Sequence, residues 1–334
     1  MTRGVGVGRG LHVTLATPST WPLALAAFLI RGGILVLVVP IIVIPTPVGL
    51  GNVFGPTLTA IALGQVPVDA AVGGSLLAVT IVAWLVGGGW LAAALEAEAA
   101  RSVVAEQEAG DGGPRRNADS GRDVASRGRR VAGRILAARL VAAIPFALVL
   151  VWASFRLVVT TYNELTSPGD TATPIVLRVL AARPEVVVGI VLTWMAWEIV
   201  GAIAARRIVL ADDGAGRSLV AATGECLRHP FSVLVRFWIP TLALAAVIVP
   251  SALASAAVWS ATGDALDDGD SVRIVVSVVA LVVLFAVGLL LVSVVCAWRA
   301  AIWTIAEAAR QRTFGASADS RSGDWHGEGS SATL

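Results

Sequence analysis

The chain has no lysine, one tyrosine (Tyr162), two cysteines and three histidines among its 334 residues. Only 14% of them are charged, against roughly 25% in an ordinary soluble domain. Each shortage excludes something. Cys226 and Cys296 are too few and too far apart for a disulfide framework or a thiolate metal site, so both are read as reduced thiols. His12, His229 and His326 all lie outside the long apolar runs, and no H-E-x-x-H, Walker-type glycine loop or G-x-S-x-G occurs. Neither a metal site nor a nucleophilic site is expected. The chain is read as non-enzymatic and without a cofactor. A net charge of +2 is too small to hold a nucleic acid. With so few charges, a globule of this size could not cover its surface, and a soluble fold is excluded.

What remains is apolar: 56% of the residues, with a mean hydropathy of +0.81. Long apolar runs alternate with short polar ones, the pattern of a chain that crosses a bilayer repeatedly. Crossing ~30 Å of hydrocarbon takes about 20 helical residues. Six runs qualify, near Leu23–Ile44, Gly74–Leu95, Ile135–Val158, Val186–Ala205, Ser232–Ala257 and Val272–Trp298. They lack the period-2 alternation of barrel strands, which leaves helices. The first run begins at Trp21, outlasts a signal-peptide core and is followed by no small-residue cleavage site, so it is read as a span. The expected fold is an all-α integral membrane protein of six transmembrane helices arranged as three hairpins.

All 25 basic residues are arginine. Arg3 and Arg9 precede the first span, and eight arginines from Arg101 to Arg134 separate spans two and three. Arg206, Arg207, Arg217 and Arg228 follow span four, and Arg299, Arg310, Arg312 and Arg321 follow span six. The opposite loops hold only Arg156, Arg178, Arg183 and Arg273. Basic residues are retained in the cytoplasm, so both termini are expected inside a bacterial-type cell membrane. Trp21, Trp90, Trp259, Trp298 and Trp303 fall near span ends, where their amphipathic rings suit the headgroup layer.

The odd spans each carry an arginine followed by proline: Arg31 with Pro40, Arg139 with Pro145, and Arg236 with Pro240 and Pro250. Trp90, Trp194 and Trp298 recur at equal spacing, as do Pro40, Pro145 and Pro250. Both spacings fit either a threefold hairpin repeat or three hairpins of similar length. In span two, Gly88 and the Gly89–Ala93 pair at four-residue spacing are the expected helix-packing positions. Residues 1–18, 105–130 and 313–334 have little to bury and are expected to be disordered: an N-terminal tail, a linker and a C-terminal tail around the 19–312 membrane domain.

Between spans four and five, Asp212-Asp213-Gly214 forms a turn, and apolar residues at helical spacing predict an amphipathic helix over 217–228, ended by His229-Pro230. The layout of residues 201–240 and the span count resemble polytopic bacterial membrane families, including the membrane domain associated with some glycerophosphodiester phosphodiesterases. The resemblance implies the fold alone, because the chain holds no phosphodiesterase catalytic domain.

Glu198 is the only acid well inside an expected span. A carboxylate at such depth needs a partner, a proton or water. Arg31 is its expected partner and Arg139 the second choice. The Gly32-Gly33 pair is a point at which the first helix can break and return Arg31 to the interface. The expected partners are the lipid bilayer and either another membrane protein or a second copy of the chain, with no nucleic acid. Two functions are open: an accessory, assembly or scaffold component, or a small-solute or lipid transporter using the Glu198–arginine pair.

Overall fold

The computed structural model describes residues 5–38, 57, 60, 63–65, 67–110, 121–166 and 175–323. Among these no strand occurs, and nearly all are helical. The elements are α1 (Val5–Ala16), α2 (Thr20–Phe28), a π turn (Leu29–Gly33), α3 (Ile34–Val38) and α4 (Val68–Ala83). A second π turn (Trp84–Gly88) leads into α5 (Gly89–Gly110), then α6 (Gly121–Thr166), α7 (Ile175–Ala182) and α8 (Pro184–Ala211). The chain ends in α9 (Ala215–Arg228), α10 (Pro230–Asp268) and α11 (Ser271–Gly323).

Among the described residues, five stretches are long and apolar enough to cross a membrane: Val68–Glu108, Gly128–Glu164, Pro184–Ala211, Pro230–Asp268 and Ser271–Arg312. The bent pair Val7–Ala16 and Thr20–Gly33 raises the number to six if counted as one span. These helices outrun a bilayer. At 1.5 Å per residue, α11, with 53 residues, is about 80 Å long, so its polar end projects well beyond ~30 Å of hydrocarbon. Pro145, Pro240 and Pro250 lie inside continuous helices, where neighbouring groups can satisfy the freed carbonyls. Pro40 and the part of the first expected span beyond Val38 lie outside the described residues.

The three segments expected to be disordered are helical where their residues are described. Residues 5–16 form α1, residues 105–110 and 121–130 belong to α5 and α6, and α11 continues to Gly323. The low apolar content that pointed to disorder overlooked two things. Helices that begin or end in a membrane propagate at little cost once nucleated, and α1 has a surface to pack on. Its Val13, Thr14 and Thr17 are buried, and Trp298 Nε1 of α11 donates to Val7 O at 3.0 Å. At Gly10 a Cβ would lie 2.9 Å from the Ile302 side chain, so α1 sits against α11 too closely for any larger residue. The remainder of the three segments lies outside the described residues.

The corner between α1 and α2 turns through 111°. It is closed by Thr17 Oγ1 donating to Val13 O (2.7 Å), Thr20 Oγ1 to Thr17 O (2.8 Å) and Trp21 Nε1 to Thr14 O (2.8 Å). Trp21 therefore pins a corner. Trp303, expected in the headgroup layer, is buried at 3% exposure, whereas Trp90 and Trp259 are exposed.

The chain divides into two compact units. One comprises residues 1–6, 117–237 and 303–334; the other comprises 7–116 and 238–302. In the first, α6 packs on α8, with Phe146 stacked on Trp197 (5.3 Å between centroids) and Trp194 edge-on to the fully buried Phe237 (5.5 Å). In the second, α2 packs on α5 through Thr20, Ala24 and Ala27 against a run that includes fully buried Ala92, Ala93 and Ala100. Outside these contacts the helices present Leu, Val and Phe side chains outward, as in Leu76, Leu148, Phe155 and Leu253. In water that pattern would be unstable, whereas lipid tails solvate it at no cost.

Candidate functional site

The polar side chains of the first unit converge where α8, α9, α10 and α11 carry their arginines. The turn after α8 makes this possible. Asp212 takes a left-handed conformation (φ 52°), reversing the chain so that Asp213 faces back toward Arg207. Arg207 then bridges two carboxylates. Its Nη2 and Nε reach Asp213 Oδ2 at 3.1 and 3.2 Å, and its Nη1 reaches Glu307 Oε1 of α11 at 3.5 Å. The side chains of Asp213 and Glu307 are only 10% and 6% exposed. On α9 the buried Glu225 is held between Arg236 of α10 (3.8 Å) and Arg310 of α11, with which it is in direct contact. Arg134 of α6 reaches the exposed Asp212 at 2.6 Å.

Four carboxylates, Asp212, Asp213, Glu225 and Glu307, are thus matched by an arginine on a different helix or turn. A buried charge is costly unless paired, and here every acid named has a cation in contact. The chemistry of such a network is cross-linking: it fixes helix ends to one another. Near it, burial pushes the Cys226 thiol above its ordinary pKa, partly offset by a backbone hydrogen bond, so the thiol is held neutral and poorly nucleophilic.

Of the residues singled out from the sequence, Arg31 lies in the π turn beside Gly32, whose φ of +102° breaks the helix. Its guanidinium pairs with Glu96 of α5, whose side chain is 7% exposed. Glu96 escaped the sequence reading because it lies at the start of a charged helical extension, Leu95 to Arg101, that looks solvated. The packing of α2 and the π turn on α5 encloses it. Glu198 is half-buried on α8. Arg139 lies on the facing helix α6, 9% exposed, with its backbone oxygen accepting from Trp197 Nε1 (3.2 Å). Its guanidinium lies against Gly201, one turn from Glu198, where a Cβ would come within 3.4 Å. A Cβ at Gly88 would lie 3.2 Å from Ile30, Gly89 is half-buried, and Ala93 is fully buried.

In the second unit, a cavity of about 20 Å³ is lined by Leu37, Ser251, Ser255, Phe285 and Gly288 among others. That volume accommodates about one water. Ser251 spends its hydroxyl on Val247 O at 2.7 Å. Among the described residues no group of three or more His, Cys, Asp or Glu side chains could hold a metal ion. No family model matches the chain, and no curated protein or solved structure matches it either.

Proposed function

We propose that this chain is a multi-pass protein of a bacterial-type cell membrane with both termini cytoplasmic, acting as an accessory, assembly or scaffold component and not as an enzyme. The observation that carries the reading is how the buried acids are used. Asp213, Glu225, Glu307 and Glu96 are each taken up by an arginine of a helix or turn. Such pairs fix helices in place and leave little charge to move a substrate.

One observation favours the transporter reading. Glu198 is half-buried in the middle of α8, with the Arg139 guanidinium one turn away on the facing helix. Intramembrane carboxylates of this kind often carry protons. The two readings separate in proteoliposomes loaded with a pH-sensitive dye. A scaffold passes no protons under an imposed gradient and, after in-cell crosslinking and mild-detergent extraction, is recovered with a membrane-protein partner at fixed stoichiometry. Proton flux that Glu198→Gln abolishes would replace the scaffold reading with transport.

A further inference from the structure

Helix α9 is built inside-out for a helix bathed in water. Its buried face carries Ser218 (0% exposed), Ala222 and Glu225. The outward face carries Val220 (77%) and Leu227 (78%), and the apolar line continues into Phe231 (78%) at the start of α10. Positions 220, 223 and 227 form one stripe at helical spacing, and Phe231 follows past the break at His229 (φ −134°, ψ 52°). Gly224 sits within that face with nothing around the place a Cβ would take. A polar face is buried because Arg236 and Arg310 need Glu225, and the apolar face is left pointing outward.

Basic groups edge this stripe. Arg217 is 84% exposed, and its ion pair to Asp213 is long at 3.8 Å. Arg228 and His229 are exposed, and among the described residues neither side chain takes part in a hydrogen bond or ion pair. The stripe also lies immediately before the apolar run of α10, where a span meets the headgroup layer. An apolar line bordered by exposed arginines at the foot of a span matches the two halves of a phospholipid: acyl boundary and phosphate.

We propose that the outer face of α9 and the first turn of α10 form a binding surface for anionic phospholipid, with Val220, Leu227 and Phe231 entering the acyl boundary and Arg217 and Arg228 holding phosphates. An amphipathic helix with these features binds through buried apolar area plus attraction to anionic headgroups. Each arginine near an anionic surface is worth about a fivefold change in partition. The proposal rests on the chain spanning a membrane, and the test checks that separately.

In full-length protein with Cys226 and Cys296 replaced by alanine, single cysteines at Val220, Leu227 and Leu253 would carry an environment-sensitive fluorophore. Reconstitution uses brominated phosphatidylcholine, with and without phosphatidylglycerol, and aqueous iodide serves as the opposing quencher. The Leu253 label, on the outward face of α10, reports membrane insertion alone. The surface is supported if the labels at 220 and 227 are quenched by bromine, shielded from iodide, and deepened by phosphatidylglycerol in a way that Arg217→Gln with Arg228→Gln abolishes. Iodide access at 220 and 227 while Leu253 is quenched by lipid would overturn it. So would shielding from both quenchers, which would place protein over the stripe, or lipid quenching indifferent to phosphatidylglycerol and to the arginines.

Discussion

The Arg31–Glu96 pair joins the broken first helix to α5, and its removal tests whether a helix interrupted at Gly32 is held by charge. Glu96 is almost enclosed, and Arg31 is 30% exposed. At contact distance and an effective dielectric of ~20, the gross attraction is about 4–6 kcal/mol. Desolvation of the two ions takes back most of it, so the pair is worth little compared with an apolar replacement. Removing one partner is different, because the other is left buried and charged. Arg31→Met, which leaves the enclosed Glu96 charged, should cost ~3–5 kcal/mol, Glu96→Ala less because Arg31 keeps access to solvent, and the double variant less than the sum. The assay is unfolding of the purified protein in mild detergent by thermal or SDS titration, followed through the tryptophans, with the coupling taken from the four-member cycle. If the single losses add to within ~0.5 kcal/mol, the two side chains do not hold each other and the reasoning fails.

Arg207 bridges Asp213 and Glu307, so Arg207→Met should destabilise by ~3–5 kcal/mol, and Glu307→Gln in the same chain should restore part of the loss in the same unfolding assay. Gly32→Ala should cost ~1–3 kcal/mol because φ is +102°, although the space around it is open, whereas Gly87→Ala, in open space at a negative φ, should be neutral or mildly stabilising. The raised pKa of Cys226 lowers its thiolate fraction at any given pH below that of an exposed thiol. Its alkylation in a Cys296→Ala background should therefore be slow at neutral pH and still rising where a free cysteine has reached its plateau, as stopped-time mass spectrometry would show.

The spans could be read from the sequence because hydropathy over twenty residues needs no knowledge of neighbours. The break at Gly32-Gly33 was equally legible, since glycine alone takes a φ of +102° freely. The amphipathic spacing of residues 217–228 likewise matches α9 in position. Which face α9 buries was not legible. Periodicity marks Val220 and Leu227 as the apolar side, but Glu225 is drawn inward by arginines 11 and 85 residues further along the chain. The same limit applies to Glu96, whose burial depends on α2, and to α1, whose glycine-rich stretch is helical because Gly10 lets it reach Ile302. Tertiary partners distant in sequence decide all three.

Cysteine accessibility in intact cells tests the central claim, a chain that crosses the membrane several times with its arginine-rich ends inside. In the background lacking Cys226 and Cys296, one cysteine replaces Asp268, at the acidic end of α10, and another replaces Arg217, at the start of α9. Both positions are well exposed, at 68% and 84%. An impermeant maleimide should label Asp268→Cys in intact cells and Arg217→Cys only after permeabilisation. Labelling of Arg217→Cys in intact cells, with Asp268→Cys protected, would contradict the account.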